Sequence, residues 1–250
     1  MRGRYHEPRV AAAAGSLGGG EARACPETRF GTWFISSRVW TDYVVRDTVV
    51  DLVRLLGRDR RVPRPVILDV GCGVGGALPL LDDAFAPARL VARDHDTALL
   101  ARAARQALPR CRCPVDLAVA DAERLDLRDE SVDVVLCHQT LHHVADSRAV
   151  AGELYRVLRP GGPLLVAESC RPFTASRRVR LLFRHALHHQ RRAGAWVDLV
   201  RDTGFVVEPE RINTPDPWWS RPDFGLRALL GRPGPPPPDP MVVHFVALKP

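Results

Sequence analysis

The sequence predicts an α/β protein with a seven-stranded, mostly parallel β-sheet that has helices on both faces. From residue 66 onward, five short apolar segments of strand length alternate with segments of helical periodicity. A glycine-rich turn directly follows the first of these segments. Two more strand-like segments lie near the C terminus, and we expect them to close one edge of the sheet as an antiparallel hairpin.

The order of the elements favours a parallel sheet, because short strands separated by helices pair through right-handed crossovers. The predicted parallel strands are residues 66–70, 89–93, 115–120, 132–137 and 164–167. The helices expected between them are residues 78–81, about 98–108 and about 147–158. Further on, we expect an arginine- and histidine-rich helix at about 176–190, a helix that ends at Gly204, and antiparallel strands at 205–207 and 241–248. Open sheets of this kind bind ligands beyond the carboxyl ends of their strands.

The first 60 residues divide into a tail and a helical segment. Residues 1–29 contain few large apolar side chains and cannot bury enough surface to offset the entropy of ordering, so we expect a disordered tail. An aromatic-rich segment follows, in which Ser36 or Ser37 is placed to cap a helix that runs to about Leu56, with Gly57 beyond its end. Two roles stay open for the aromatic segment: a lid over a pocket, or a plug in the core.

Composition places the chain among ordinary globular proteins and argues against nucleic acid as a partner. Its 250 residues are 46% hydrophobic and 26% charged, which suits one large domain. The formal net charge is +7, but the sequence has no run of five or more basic residues and no basic stripe interleaved with aromatic residues. We therefore interpret the arginines as solvated surface groups.

The cysteines predict neither disulfides nor a metal site. All 6 are scattered, Cys111 and Cys113 are too close together for a C-x2-C zinc site, and no second pair stands at ligand spacing, although His185, His188 and His189 cluster in the sequence. The chain also shows no leucine-rich secretory leader and no apolar stretch of membrane-spanning length. We expect a cytoplasmic protein with free thiols.

The glycine-rich turn is the strongest indication of a ligand site. The first predicted strand contains Asp69 near its end and is followed by Gly71, Gly73 and Gly75. Because glycine lets the backbone approach a ligand closely, the turn suits a nucleoside-bearing cofactor. Together with Gly76, the turn also satisfies the G-x-G-x-x-G pattern of dinucleotide-binding proteins, so a nicotinamide dehydrogenase is the alternative for the turn taken alone.

Other motifs extend this pattern along the chain. They are Leu-Asp-Val-Gly-Cys-Gly-Val-Gly at 68–75, Asp94 after the second strand, Asp121 after the third, Cys-His-Gln-Thr-Leu-His-His-Val at 137–144, and Glu-Leu-Tyr-Arg-Val-Leu-Arg-Pro-Gly-Gly at 153–162. In these motifs the sequence resembles the class I S-adenosylmethionine-dependent methyltransferases of type 11, closely over about residues 64–170 and loosely elsewhere. The resemblance implies a Rossmann-like fold, S-adenosyl-L-methionine as the cofactor and methyl transfer as the activity.

The resemblance implies cofactor-binding roles for residues at the strand ends. Asp69 and Gly71 would meet the methionyl end, Asp94 the ribose, and Asp121 with the Ala122 amide the adenine. His138 lies where the fourth strand passes beneath the cofactor, and Gly73 and His95 are further cofactor-binding candidates. The chain departs from the family pattern around Asp94. Arg93 stands where a small or apolar residue is usual, and Asp96 is either a second acceptor for the ribose diol or the N-cap of the next helix.

The resemblance also implies an acceptor side. In related O-methyltransferases, a similar Leu-His-His histidine and an acid after the fifth strand serve the acceptor hydroxyl. We therefore predict His142 as general base, Glu168 as the residue that orients it or binds the acceptor, and His143 as a further catalytic candidate. A structural role for at least one of the two histidines is the alternative.

The predicted function is O-methylation of a small molecule in specialised metabolism. The alternatives are C- or N-methylation of a quinone-like, lipid or polyketide acceptor, and cofactor binding without catalysis. The chain then divides into a disordered tail at 1–29 and a methyltransferase domain at 30–250. Within the domain, residues 30–60 form a helical lid, 64–170 the cofactor-binding core, and 171–250 the acceptor-side helices and closing strands.

Overall fold

The computed structural model describes residues 28–58, 62–183, 190–221, 230 and 238–250, and in these residues the chain forms one seven-stranded sheet. The strands are β1 (Val66–Val70), β2 (Arg89–Asp94), β3 (Val115–Val119), β4 (Val134–His138), β5 (Pro163–Ser169), β6 (Ile212–Asn213) and β7 (Val242–Leu248). Their order across the sheet is β3-β2-β1-β4-β5-β7-β6. β1 to β5 are parallel, and β7 pairs antiparallel with β5 and β6. The predicted mostly parallel sheet with an antiparallel C-terminal pair is confirmed.

Helices cover both faces of the sheet. The cores on the two sides contain side chains of α2 (Arg46–Leu56), α3 (Leu78–Phe85) and α4 (Thr97–Gln106) on one face, and of α5 (Ser147–Val157) and α8 (Ala193–Arg201) on the other. The other helical segments are α1 (Arg29–Ile35), a π-helix (Trp40–Val45), α6 (Arg171–Thr174) and α7 (Arg177–Leu182). Among the described helices, none combines the length and the apolar character that crossing a bilayer requires.

The alternation of side chains along each strand assigns the polar residues at the carboxyl ends to one face or the other. Ile67 and Leu136 lie in the core under α2, α3 and α4, so Asp69 and His138, each two residues further along its strand, lie on that side, which we call the α2 face. By the same argument from Val166, which lies in the core under α5 and α8, Glu168 lies on the opposite side, the α5 face.

The prediction of a strand at residues 205–207 is wrong. Val206 makes an isolated antiparallel bridge with Leu248, through hydrogen bonds of 2.9 and 2.8 Å. A 3-10 turn at Pro209–Arg211 then bends the chain, and regular pairing with β7 resumes only at Ile212–Asn213. The edge strand is therefore β6, displaced toward the C terminus from its expected position.

The N-terminal helix is also not the continuous α-helix that the pattern predicts. Ser37 does cap a helical segment, since its hydroxyl accepts a hydrogen bond from the Trp40 amide at 3.2 Å, but that segment begins as a π-helix and becomes α-helical only at Arg46. The aromatic segment before it forms α1, whose first turn is capped by the Thr28 hydroxyl. The predicted tail lies outside the described residues up to residue 27, and its last two residues belong to α1 and its cap.

The helix predicted at about 176–190 is described only in its first part. It begins after Ser176, whose hydroxyl accepts a hydrogen bond from the Val179 amide at 3.4 Å, and α7 extends to Leu182. Residues 184–189 lie outside the described residues, and with them the histidine cluster at 185, 188 and 189.

Candidate active site

The glycine turn after β1 rests on the end of β2. The amides of Gly71 and Cys72 donate hydrogen bonds to the carbonyl oxygen of Arg93 at 2.8 and 3.1 Å. Gly71 has a φ of +69°, and a Cβ atom there would overlap the Thr140 side chain, so packing requires glycine. Gly73 has a φ of +54°, and a Cβ atom there would meet no heavy atom within 4 Å. The turn therefore leaves open space for a ligand at Gly73.

Backbone amides hold the Asp94 carboxylate in place beside this turn. Its Oδ2 accepts a hydrogen bond from the Gly73 amide at 2.8 Å, its Oδ1 accepts one from the Asp96 amide at 2.9 Å, and His95 Nδ1 lies 3.5 Å from Oδ1. Each carboxylate oxygen can accept a further hydrogen bond, so the fixed carboxylate suits a diol. Asp96 is the N-cap of α4, because its Oδ1 accepts the Ala98 amide at 2.7 Å.

Asp69 is a buried acid with one unpaired oxygen. Its side chain is 2% exposed, and its Oδ2 is inaccessible to solvent and has no hydrogen bond to any described residue. Burial, and then the negative charge of Asp94, raise the pKa of Asp69 to about 8. Two acidic side chains thus lie close together at the glycine turn, and a cationic ligand would relieve both the missing hydrogen bond and the repulsion. The ammonium and sulfonium groups of S-adenosylmethionine fit this requirement.

The unusual arginine before Asp94 is explained by neighbours at the β3 edge. Arg93 is 4% exposed, and its Nε and Nη2 lie 2.8 Å and 3.3 Å from carboxylate oxygens of Asp126 and Asp116. These ion pairs raise the pKa of Arg93 against the opposing effect of its burial. Asp126 and Asp116, which lie outside the glycine turn, therefore balance the charge of Arg93.

Asp121 and Ala122 lie in the turn after β3, at the same edge as Asp94. The Ala120 amide donates to the Asp94 carbonyl oxygen at 3.0 Å, so the end of β3 is fastened to the end of β2. Asp121 is exposed, and its Oδ1 accepts the Glu123 amide at 2.9 Å. Ala122 is partly buried against the core of the α5 face. The turn is thus positioned next to the end of β2 at Asp94.

The predicted acceptor residues His142 and Glu168 are in direct contact. Glu168 is fully buried, and its Oε1 accepts the amides of Thr140 and Leu141 at 2.8 and 2.7 Å. Its Oε2 lies 2.6 Å from Nδ1 of His142, which is 2% exposed. The rings of His142 and His143 are 4.1 Å apart between centroids. Glu168 therefore holds both the turn after β4 and the orientation of the His142 ring.

His138 lies on the α2 face, opposite to this pair. Its Nε2 is inaccessible to solvent and has no hydrogen bond within the described part of the chain, and its ring centroid is 5.8 Å from that of Trp40. Burial, assisted by the charges of neighbouring histidines, lowers the pKa of His138 to about 3. The next residue, Gln139, has a φ of +54°, and its Oε1 accepts the Ser169 hydroxyl at 2.6 Å. Sequence reasoning missed Gln139 and Ser169 as site residues and placed Trp40 only within the aromatic segment, because no local pattern distinguishes them.

The N-terminal segment covers this edge of the sheet. Ser36 accepts a hydrogen bond from Arg102 Nη1 of α4 at 2.8 Å, and a Cβ atom at Gly76 would lie 3.4 Å from Oγ1 of Thr41. A surface cavity of about 380 Å³ separates α1 from α4, and it is lined by Thr32, Trp33, Ser36, Ser37 and Arg102. The segment therefore contacts both the glycine turn and the helix that follows Asp94.

The chain is similar to known methyltransferases in sequence and in fold. Residues 68–166 match a family model described as a methyltransferase domain, of type 11. Phosphoethanolamine N-methyltransferase 3 of Arabidopsis thaliana is 29% identical over 154 residues, which are 60% of this chain and 31% of that protein. A protein of Mycolicibacterium smegmatis named "Probable S-adenosylmethionine-dependent methyltransferase" is 34% identical over 156 residues, which are 62% of this chain and 54% of that protein. The chain thus matches between about a third and about half of the length of these relatives.

The fold is shared with solved structures. The crystal structure of an S-adenosylmethionine-dependent methyltransferase from Mesorhizobium loti aligns with a TM-score of 0.61 at 18% sequence identity, and the alignment covers 84% of this chain and 100% of that one. At this identity the likeness concerns the arrangement of strands and helices.

Proposed function

We propose that this chain, whose residues 68–166 form a class I S-adenosylmethionine-dependent methyltransferase domain, methylates a hydroxyl group of a small molecule. The observation that carries the proposal is the contact between His142 and Glu168 at the end of the sheet where the glycine turn lies. It supports a hydroxyl acceptor, because a hydroxyl must lose its proton during methylation and an imidazole held by a carboxylate is suited to accept it.

The residues at the glycine turn would hold the cofactor. We assign the methionyl end to Asp69, Gly71 and Gly73, and the ribose to Asp94 with His95. The adenine is assigned to Asp121 with the Ala122 amide, and the strand exit at His138 passes beneath the cofactor. When bound, S-adenosylmethionine supplies a methyl group on a sulfonium, which is a good leaving group. The chain then has to align the acceptor, exclude water and manage one proton.

The acceptor proton is assigned to His142. With Nδ1–H donated to Glu168, the lone pair of the imidazole is on Nε2, which acts as the base. Glu168 keeps this tautomer and stabilises the ring when it becomes protonated. Since His142 is 2% exposed, we expect the acceptor to reach it when the side chains that cover it move. His143, which stacks on His142 and is partly exposed, is assigned to contact the acceptor.

The cellular context is part of the proposal. Among the described residues, the cysteines at positions 72, 111, 113, 137 and 170 are free thiols, which supports a cytoplasmic protein. We assign the acceptor to specialised metabolism. The similarity to a phosphoethanolamine N-methyltransferase supports a second candidate, methylation of an amine, which would not need the His142 base at a pH where the amine is already neutral.

The test combines methyl-labelled S-adenosylmethionine, purified protein and an extract of the producing cells, followed by mass spectrometry of the labelled product. For an O-methylated product, His142→Gln and Glu168→Gln should lower kcat by about 100-fold, within the range of general base catalysis, and leave cofactor affinity unchanged. Glu153→Gln is the matched control, because Glu153 also accepts a backbone amide and pairs with Arg156, but on α5. Full turnover in the His142 variant would refute the base assignment, and an N-methylated product would favour the second candidate.

A further inference from the structure

The carboxyl edge of the sheet carries a second set of polar side chains, on and beside the α2 face. His138 ends β4, and its neighbours in the sheet are small: Ala167 lies in register on β5, and Gly71 follows the β1 residue that pairs with Cys137. Ser169 is two residues beyond Ala167 on the same face of β5. The imidazole of His138 therefore stands between positions that have almost no side chain.

The His138 ring has polar capacity that the protein does not use. Its Nε2 is shielded from solvent and has no hydrogen-bond partner among the residues that the structure describes. A polar group that is buried without a partner destabilises the protein, so a buried unpaired nitrogen at a strand end indicates a ligand atom that pairs with it. Because burial keeps the pKa of His138 near 3, the ring is neutral at physiological pH and offers one donor and one acceptor nitrogen.

Gln139 extends this polar set into the turn after β4. Its φ of +54° is a left-handed conformation that is disfavoured for residues other than glycine and is found more often at functional sites. Its amide donates to the Ala167 carbonyl oxygen at 2.8 Å, and its side-chain oxygen accepts the Ser169 hydroxyl. With that oxygen engaged, the side chain presents its NH2 group, which has two donor hydrogens.

An aromatic ring covers the same place. Trp40 begins the π-helix, and its ring is tilted by 44° to the His138 ring at a centroid distance of 5.8 Å. Phe34 of α1 supports Trp40 in an edge-on contact at 5.6 Å. π-helical turns are rare and occur frequently at functional sites. A flat molecule that packs against Trp40 and reaches His138 would gain aromatic contact from the indole and hydrogen bonds from the imidazole.

The charged groups described on this side of the sheet are already engaged or assigned to the cofactor. His138, Gln139, Ser169 and Trp40 are neutral side chains, and Asp69 is assigned to the methionyl end of the cofactor. Asp51 of α2, on the same side of the sheet, is engaged by His244 Nδ1 at 2.9 Å, by Asn213 at 2.7 Å and by Arg54 at 2.6 Å. With the cofactor bound, a charged acceptor group would therefore lose its hydration without gaining a counter-charge from the described residues.

We infer that His138, Gln139 and Ser169, covered by Trp40, form the acceptor subsite, and that it takes a flat, uncharged molecule bound through a hydroxyl or carbonyl oxygen. This inference rests on the proposed methyl transfer to a small molecule. It assigns the His138 side chain to the acceptor, while the backbone at the strand exit remains next to the cofactor. His142 belongs to the same turn after β4 but lies on its Glu168 side, so an acceptor held at His138 has to extend past Thr140 to reach the proposed base.

The test uses catechol and 2-naphthol as flat uncharged probes and phosphoethanolamine as the charged counterpart, each with methyl-labelled S-adenosylmethionine. Wild-type protein should methylate the uncharged probes, and His138→Phe and Gln139→Met should each raise their KM by about tenfold or more, as expected for one lost hydrogen bond. Trp40→Ala should also raise KM, and Trp40→Phe should restore most of the affinity. Cofactor affinity, measured by calorimetry, should stay within about twofold of wild type, which corresponds to about 0.4 kcal/mol, because only the backbone at this strand exit is assigned to the cofactor. If His138→Phe does not fold, His138→Asn is used in its place, because it also removes the imidazole nitrogens.

Gln106→Met is the matched control, because Gln106 is an exposed glutamine at the end of α4. Methylation of an uncharged probe with an unchanged KM in the His138 variants would overturn the subsite and leave the proposed function intact. Preferential methylation of phosphoethanolamine would overturn the uncharged substrate class. If wild-type protein methylates no probe and no component of the cell extract, the proposed function fails, and this inference fails with it.

Discussion

Replacing Asp69 with asparagine should stabilise the ligand-free protein and weaken cofactor binding at the same time. Asp69 has a pKa of about 8 in the folded protein, against 3.8 for an ordinary aspartate. Between these two values the folded protein holds a proton that the unfolded chain has released, so its free energy of unfolding falls as the pH rises through this window. An asparagine carries no ionisable proton and removes this pH-dependent cost.

The size of the effect follows from the pKa difference. Each pH unit between the two pKa values corresponds to about 1.4 kcal/mol. Since pH 7 is roughly three units above the pKa of Asp69 in the unfolded chain, the substitution can raise the free energy of unfolding by at most about 4 kcal/mol. The asparagine amide is itself buried beside Asp94, so we expect a gain of about 1–4 kcal/mol. For a chain of this size, each kcal/mol raises Tm by about 2–4 °C.

Cofactor binding should respond in the opposite direction. A cation must displace the proton of Asp69, so the affinity of the wild-type protein for S-adenosylmethionine should rise by up to about tenfold per pH unit between pH 6 and 8 and level off above. The loss of a charge-assisted hydrogen bond costs about 1.5–3 kcal/mol. At pH 9, Asp69→Asn should therefore bind S-adenosylmethionine about 10- to 150-fold more weakly than the wild-type protein. Its affinity should not depend on pH between pH 6 and 9.

Titration calorimetry from pH 6 to 9 and thermal melts at pH 7 measure both effects. Asp82→Asn is the matched control. Asp82 is also 2% exposed, but it accepts hydrogen bonds from the Arg112 amide at 2.9 Å and the Arg112 side chain at 3.0 Å, which lower its pKa against the effect of burial. This variant should melt lower and keep its cofactor affinity. A wild-type affinity that is constant from pH 6 to 8, or a destabilised Asp69→Asn, would refute the reasoning.

Two more substitutions separate packing from ligand binding in the same turn. Gly71→Ala should lower Tm strongly, because its Cβ would overlap the Thr140 side chain. Gly73→Ala places its Cβ in open space, so it should lower cofactor affinity by about tenfold or more with a smaller loss of Tm. Equal losses of Tm with unchanged affinity would contradict a ligand at Gly73. Asp96→Ala should lower the free energy of unfolding by about 1 kcal/mol, because it removes the N-cap of α4. It should leave the Kd for S-adenosylmethionine unchanged, since Asp96 Oδ1 already accepts the Ala98 amide. A large rise in Kd would instead assign Asp96 to the ribose diol.

The parts of the fold that the sequence predicts well are those whose signal is local. β1 and β5 are apolar runs buried on both faces, and they lie within two residues of the predicted ranges. β6 was predicted incorrectly because its pairing is determined by which residues of β7 face it, and the apolar residues 205–207 bend away after a single bridge. A helical pattern also does not distinguish π from α hydrogen bonding, so the start of the helix at Trp40 was missed.

The same distinction applies to the candidate site. Asp69, Asp94 and Glu168 were identifiable because parallel strands bring their carboxyl ends to one edge. The partners of Arg93 and the contact between Gln139 and Ser169 depend on which side chains meet across strands and turns. No spacing in the sequence encodes these contacts.

The turn after β4 joins the two sides of the site. The Thr140 hydroxyl donates to the Val70 carbonyl oxygen at 3.0 Å, and the Thr140 amide donates to Glu168 at 2.8 Å, so this one residue ties the turn to both β1 and β5. Gly71 packs directly against the Thr140 side chain, which connects the same residue to the glycine turn. His138 and His142 flank Thr140, one on the α2 face and one on the Glu168 side. A turn held from both strands keeps these two imidazoles at a fixed separation, and alignment of an acceptor with a bound methyl donor depends on such fixed positions.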